Sequence, residues 1–574
     1  MSCQNSSPPS ILSETVTDTK DPEQHSQNRH HRDSTLSLQS TAVCDDSTTA
    51  SRRPPFTILL AFTALCLSIF LVALDTVLIP TALPTIALSF HVRDYLYAWI
   101  GSSYLLANAA SVPFWGKLSD IFGRKYVILT ANLIFLAGSI ICGVSTNATM
   151  LIAGRVIQGF GGGGVVVLVH VCVSDLFPIR DRSFYLGLVG AVWAVASALG
   201  PVLGGIFAER LNWRVCFYIN IPIVSVSILT LYATLRLPDP RTPLLAGLLS
   251  LDWLGTTTIL AAVVLLLVGL QEGCATSYAA PVVITLIAVG CILHILFIAT
   301  QWWQDRRGRQ PVLPLRIFKD VSNLSALGVC GCDALAFNSV AYFLPLYFQI
   351  VLGKSPSISG TYMLAIAIPL ATVSFVSGWI IEKTGRFLEV LQTGLLFMTI
   401  GVGLLISLET SQNIGKIIAI LFTIGLGFGP NFGAPLIALQ TRIQEPDIAT
   451  GTAAFAFVRM IFGAFGVIIG QVVFQLRMAT YSDDFTQVGM PTEVSRQLVR
   501  GEAISLTPVV AALPMEQMMV AKTALLGALR GSWILYTGVS ALGLFISLGI
   551  KRKRLQHETN CRSDSEPTSG GMTC

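Results

Sequence analysis

The sequence predicts an all-α membrane protein with 14 transmembrane helices, two six-helix bundles joined by two additional helices. Three observations lead there. The chain of 574 residues is 53% hydrophobic and only 12% charged, about half the charge of an ordinary soluble domain. Its apolar residues come in blocks of roughly 20, the length that crosses a ~30 Å hydrocarbon layer at 1.5 Å per residue. A nine-residue pattern also occurs twice, as GKLSDIFGR and GWIIEKTGR, 262 residues apart. Gly116, Asp120, Gly123 and Arg124 in the first copy answer to Gly378, Glu382, Gly385 and Arg386 in the second. Each copy sits in a short charged loop between two apolar blocks, which marks a duplicated chain.

The elements follow in order. Residues 1–53 are rich in Ser, Thr, Asn, Gln and Asp and read as a disordered cytosolic tail. No cleavable signal pattern opens the chain, so the first span is expected to direct insertion. Apolar blocks lie near 57–80, 95–115, 126–145, 149–173, 184–207 and 214–235, giving a first bundle over 54–240. Blocks near 252–271 and 279–301 form the two additional helices of segment 241–305. Blocks near 324–350, 360–381, 387–408, 414–438, 450–474 and 529–550 form a second bundle over 306–552. This bundle includes one long outer loop, 477–528, with Pro491, Pro508 and Pro514 and room for a short surface helix. Residues 553–574 are a polar cytosolic tail. Backbone amides in lipid have no water partner, so spans are helices or closed barrels; these blocks lack the alternation of barrel strands.

Lys and Arg set the orientation. About 21 fall on one side, including Lys117, Arg124, Lys125, Arg180, Arg182, Lys383, Arg386 and the cluster from Lys551 to Arg554. The short loops of the other side hold 5: Arg93, Arg210, Arg214, Lys354 and Lys416. Both termini are therefore expected in the cytosol. The net charge of +5 is a topology signal, with no patch suited to nucleic acid. The 12 cysteines are scattered without a CxxC pair, which points away from a disulfide framework or metal site. Asn147 opens a glycosylation sequon in a very short outer loop.

Ionisable residues inside the spans carry the chemistry. Asp75 interrupts the apolar run of span one. An ionised acid at mid-membrane costs about 2.5–3.5 kcal/mol, so it faces a cavity or a partner, or else it sits at a helix end near the interface. Burial would suit it to carry a proton. Pro80 and Pro84 are expected to break or kink this helix. Arg155 begins the segment Arg-Val-Ile-Gln158-Gly159 of span four, followed by Gly161 to Gly164. It either snorkels outward or, because the glycines allow close helix approach, lies buried where its permanent charge acts on a nearby acid. In span five, Ala196, Gly200 and Gly204 form a small-residue stripe among Gly187, Pro201 and Gly205. The acids of the repeated loops, Asp120 and Glu382, lie beside Arg124 and Arg386 and suit a conformational switch, pairing in one state and separating in another. Candidates to line a substrate cavity are Gln158, Trp193, Asp333, Asn338, Tyr342 and Tyr347, with Arg459 a further polar intrusion. A shift of 262 residues places Asp75 on Phe337 and Arg155 on Ile417, so the second half lacks the same set and the coupling chemistry is expected to be concentrated in the first half.

Together these residues resemble the major facilitator superfamily, and within it the 14-span drug:proton antiporter branch. GKLSDIFGRK at 116–125 is similar to its loop 2–3 motif, with Ile121 where a basic residue is common. LIAGRVIQGFGGG at 151–163 is similar to the span-four motif, whose arginine is implicated in proton coupling. Gly187 to Gly205 resembles the span-five antiporter motif, with Ala196 in place of a glycine. LDTVLIPTALPTIA at 74–87 resembles the span-one motif carrying its acid at Asp75, and Asn212-Trp213-Arg214 with Phe217, Asn220 and Pro222 the entry to span six. YFLPLYFQIVLGKSPSISG at 342–360 is similar to fungal members that export toxins, drugs and secondary metabolites. The resemblance implies alternating access, with protons moving inward as substrate leaves.

The resulting expectation is a monomeric antiporter of the plasma membrane that expels small amphipathic organic compounds. It would use the proton gradient and no cofactor. A vacuolar importer of basic amino acids is the alternative within the same fold, and a non-transporting membrane sensor the alternative outside it. No nucleophile–base set suggests an enzyme, and no selectivity filter suggests a channel.

Overall fold

A computed structural model describes residues 55–90, 94–237, 242–307, 311–410, 413–499, 510, 512–553 and 555. The predicted N-terminal tail, most of the C-terminal tail and part of the outer loop lie outside the described residues.

Long helices dominate, as apolar blocks in lipid require. The first half holds α1 (Phe56–Ser89), α2 (Asp94–Phe122), α3 (Arg124–Gly143), α4 (Ala148–Leu176) and α5 (Ile179–Arg210). Its last span is divided into α6 (Val215–Tyr218) and α7 (Asn220–Thr234). A short α8 (Leu244–Ser250) leads to the paired helices α9 (Trp253–Ala275) and α10 (Pro281–Arg306). The second half holds α11 (Val321–Leu346), α12 (Pro356–Thr384), α13 (Phe387–Leu404), α14 (Ile414–Asn431), α15 (Ala434–Gln440) and α16 (Ile448–Ala479). It ends with the short α17 (Ser482–Gln487) and α18 (Thr492–Val499) and the long α19 (Met515–Ser547). Among the described residues, 13 spans are long and apolar enough to cross a membrane. The 29-residue α2 packs against α4 beside them, so the arrangement is compatible with 14.

Local signals set the helix ends. Asn147 caps α4, its Oδ1 accepting from the Met150 amide at 2.8 Å, and Asp252 caps α9 through the Gly255 amide at 2.8 Å. Gly123 (φ 86°) separates α2 from α3, and Gly385 (φ 68°) closes α12 in the left-handed region. The second glycine of each repeated loop is thus a backbone requirement.

Two expectations are corrected. Of the break or kink expected at Pro80 and Pro84, the break does not occur, since the helix α1 continues through both to Ser89. The outer loop is shorter than 477–528, because α16 runs to Ala479 and α19 begins at Met515, with α17 and α18 between them. Mixed polarity at the start of α19 concealed its first turns from a hydropathy reading.

Within the first half, α4 packs on α2 and α3, and α1 packs on α5 and α7. Within the second, α14 packs on α12 and α13, and α11 on α16 and α19. The halves meet where α5 lies along α12 and α2 along α16, and α9 covers the α2–α16 seam. The outward face of α10 exposes Ile292, Ile295, Leu296 and Ile298, as suits contact with lipid.

Candidate functional site

Glycine allows α4 to approach its neighbours. A Cβ at Gly161 would strike the backbone of Phe135 on α3, and one at Gly163 would strike Ser111 and the Asn108 carbonyl on α2. This close packing encloses the guanidinium of Arg155, which is 1% exposed. Asp75 of α1 is 2% exposed and forms an ion pair with Arg155 Nη1. Of the two readings open for each residue, the buried one holds.

The pair is enclosed by polar side chains. Arg155 Nη1 also donates to Gln158 Oε1 at 2.8 Å, and Gln158 Nε2 donates to Ser139 Oγ at 2.9 Å. Asn220 of α7 donates to Asp75 Oδ1 at 3.4 Å and to Ser139 Oγ at 3.3 Å. The Tyr104 ring lies 4.2 Å below the guanidinium carbon, with its hydroxyl donating to the Val72 carbonyl at 3.2 Å. Helices α1, α2, α3, α4 and α7 therefore converge on one charged centre. Burial of two ions costs several kcal/mol each, and the attraction between them recovers this only when the remaining hydrogen-bonding capacity is used. Here both carboxylate oxygens have partners. Arg155 Nε does not, so the enclosure is nearly complete.

The second half lacks the same set at the shifted positions, but it contains an acid–arginine pair of its own. Asp333 on α11 is 1% exposed and lies 3.5 Å from Arg459 Nη2 on α16. The shift missed it because the pair occupies different helix positions from Asp75 and Arg155. Two ionisable residues inside apolar spans were the available signal. Arg459 Nη1 donates at 3.3 Å to the carbonyl of Phe432, which lies at the break between α14 and α15.

Other cavity candidates are reassigned. Gln158 is fully buried beside Arg155. Tyr347 is fully buried too, its hydroxyl donating to the Glu409 carbonyl at 2.7 Å and its ring 5.9 Å from Trp533. In a uniformly apolar span, helical period does not show which face turns inward. Asn338 is half-buried and donates to Ala334 on its own helix at 2.9 Å, while Tyr342 is 40% exposed. Trp193 on α5 is half-buried and lies 6.5 Å from Phe432 across the junction of the halves.

The span-five stripe serves two neighbours. Gly200 and Gly204 admit Val77, Leu78 and Thr81 of α1, the helix of Asp75. On another face Gly187 meets the Ser374 carbonyl of α12, Pro201 meets Gly360, and Gly205 approaches Ser357.

The first glycines of the repeated loops mark equivalent crossings. Gly116 of α2 abuts Ala453 of α16, and Gly378 of α12 abuts Ser183 of α5. Asp120 binds Arg124 at 2.7 Å and accepts from Thr450 of α16 at 3.3 Å, while Arg124 also reaches Asp175 at 3.0 Å. Around the second copy, Arg180 of α5 donates to the carbonyls of Glu382 and Lys383 at 2.6 and 2.8 Å. Arg386 lies exposed, its amide donating to Thr384 at 3.2 Å. Gln440 joins the halves as well, donating to Ser174 at 2.8 Å and accepting from Arg182 at 3.2 Å. Sequence reasoning missed Arg180, Gln440 and Thr450, because their roles exist only across the junction.

Comparison with known proteins agrees with this architecture. Residues 65–467 match the family model described as Major Facilitator Superfamily. The chain is 41% identical to "Efflux pump dotC" of Dothistroma septosporum over 512 residues, 89% of this chain and 87% of that protein. It is also 41% identical to "MFS-type transporter ppz2" of Metarhizium majus over 502 residues, 87% and 86% of the two chains. With "Efflux pump FUS6" of Gibberella moniliformis it shares 35% identity over 419 residues, 72% and 74% of the two. The fold is similar to that of the human organic anion transporter MFSD10, with TM-score 0.54, 18% identity and coverage of 86% and 100% of the two chains. It is likewise similar to the proton:xylose symporter XylE, with TM-score 0.52, 14% identity and coverage of 81% and 99%. The chain belongs to the Major Facilitator Superfamily and is a multi-pass membrane transporter, not an enzyme.

Proposed function

We propose that this member of the superfamily is an efflux pump that expels small amphipathic organic compounds, toxins, drugs or secondary metabolites, in exchange for protons. The observation that carries the reading is the enclosed Asp75–Arg155 pair. A carboxylate held beside a permanent cation at the meeting point of five helices changes their electrostatic balance when it takes up a proton. Protonation frees the guanidinium, and the helices that grip both groups repack. Export accords with the relatives named as efflux pumps.

The Lys and Arg distribution supports cytosolic termini and a cytosolic position for the repeated loops. The plasma membrane is the proposed location and the monomer the working unit. The exposed Asn147 then faces outside and is open to glycosylation.

The test is flux in proteoliposomes with an imposed pH gradient and a panel of hydrophobic toxins and amino acids. Wild-type flux is expected to follow the gradient; indifference of every substrate to it would reject antiport. Asp75→Asn and Arg155→Ala are expected to bind substrate yet lose gradient-driven flux. Full activity in either variant removes that residue from the mechanism.

A further inference from the structure

The two acid–arginine pairs differ in a way that separates their roles. Both oxygens of Asp75 have hydrogen-bond partners. Neither oxygen of Asp333 has one, although the residue is 1% exposed. Arg459 Nη2, at 3.5 Å, is an ion-pair partner whose approach lacks hydrogen-bond geometry, and it too is left without an acceptor. A buried carboxylate and a buried guanidinium N–H thus both have unused capacity at one spot, a costly arrangement unless something fills it.

The surroundings say what would fill it. The Arg459 guanidinium lies 4.0 Å over the Phe432 ring and keeps 13% of its side chain exposed. Phe337 packs edge-on against Phe432 at 5.7 Å, and Trp193 approaches Phe432 from the first half. Trp193, Phe337 and Arg459 are each half-buried. His170 of α4 lies within electrostatic reach of Arg459. The site therefore offers aromatic faces beside one acceptor and one donor.

Charge narrows the ligand. A carboxylate would be repelled by Asp333, and an ammonium by Arg459. A hydroxyl donates and accepts at a single atom, so it satisfies both groups without adding charge. An aromatic ring bearing that hydroxyl stacks on the adjoining rings.

We propose that the Asp333–Arg459 pair is the polar anchor of the substrate site and takes hydroxylated aromatic compounds, the hydroxyl donating to Asp333 and accepting from Arg459 Nη2. This rests on the exporter reading and adds a substrate class to it. Trp193 and Phe432 form the apolar wall, so the ligand bridges the two halves where they move.

The test compares 2-naphthol with 2-methoxynaphthalene, which keeps the rings but cannot donate. Equilibrium binding is measured calorimetrically on the full-length protein in nanodiscs, with empty nanodiscs as the blank. The wild type is expected to bind 2-naphthol about tenfold or more tightly, the effect of one hydrogen bond to a charged group. Asp333→Ala is expected to reduce 2-naphthol to the affinity of the ether and leave the ether unchanged, whereas Arg459→Met, which removes the donor that both ligand oxygens accept from, is expected to weaken both and keep the preference. Trp193→Ala should weaken both ligands alike. Equal wild-type affinities, binding of neither compound, retention of the preference in a folded Asp333→Ala variant, or unchanged affinity of both compounds in a folded Arg459→Met variant would overturn the assignment. The wild-type comparison needs no variant, so misfolding of a mutant leaves the test intact. Asp75→Asn should keep the preference for 2-naphthol, so failure of proton coupling and failure of this site give different results.

Discussion

Asp75 and Arg155 lie 80 residues apart in sequence, yet each neutralises the burial cost of the other. Removing one partner leaves an uncompensated ion, which costs about 3–5 kcal/mol, whereas removing both is far milder. Asp75→Asn should therefore lower thermal stability in detergent substantially, and the double variant Asp75→Asn/Arg155→Gln should recover most of the loss; additive destabilisation would contradict a direct pair. Arg155→Lys keeps the charge but not the planar fork that serves Asp75 and Gln158 together. Gradient-driven flux should fall about tenfold or more in that variant, since a charge-assisted hydrogen bond contributes about 1.5–3 kcal/mol. The two ionisable residues of the pair were legible in the sequence because a charge in an apolar span demands an explanation. Its supporting residues were not. Gln158 read as a cavity residue and Asn220 only as part of a motif, and their contacts with Asp75, Arg155 and Ser139 depend on how four helices rotate against one another.

At the level of elements, small residues determine which helices approach closely. The run from Gly161 to Gly164 was recognised as a packing surface, and α4 does use it against α2 and α3. A leucine at Gly163 has no room beside Ser111 and Asn108, so Gly163→Leu should cost about 1–3 kcal/mol or more by overpacking. Size-exclusion profiles and melting temperatures after detergent extraction would register this; an unchanged melting point would show that α2 can shift aside freely. The break between α14 and α15 at Phe432 and Gly433 was hidden inside one predicted block, 414–438. A helix interrupted in the membrane needs partners for its released carbonyls. Arg459 supplies one, which no local pattern in α16 announces.

For the whole molecule, the repeated loops locate two related crossings between the halves. Gly116 faces Ala453 and Gly378 faces Ser183, so each copy places its first glycine where a helix of one half touches a helix of the other. Gly378→Val should hold α5 and α12 apart on that face while leaving each half folded. Substrate flux should then be lost, and a spin-label pair across this face should report a longer distance; normal flux would show that the crossing is not required for the cycle. The sequence alone determined the helical membrane class, the order of the apolar blocks and the duplication, and singled out Asp75 and Arg155 as charges inside apolar spans. These follow from the cost of exposing polar groups to lipid, which is paid locally and leaves a mark at each position. Only the tertiary structure decided that Asp333 meets Arg459, that Tyr347 belongs to the packed interior, and that Arg180 and Gln440 tie the halves together. Such pairings join residues far apart in the chain, and their geometry is set by how helices cross, which apolar composition leaves undetermined.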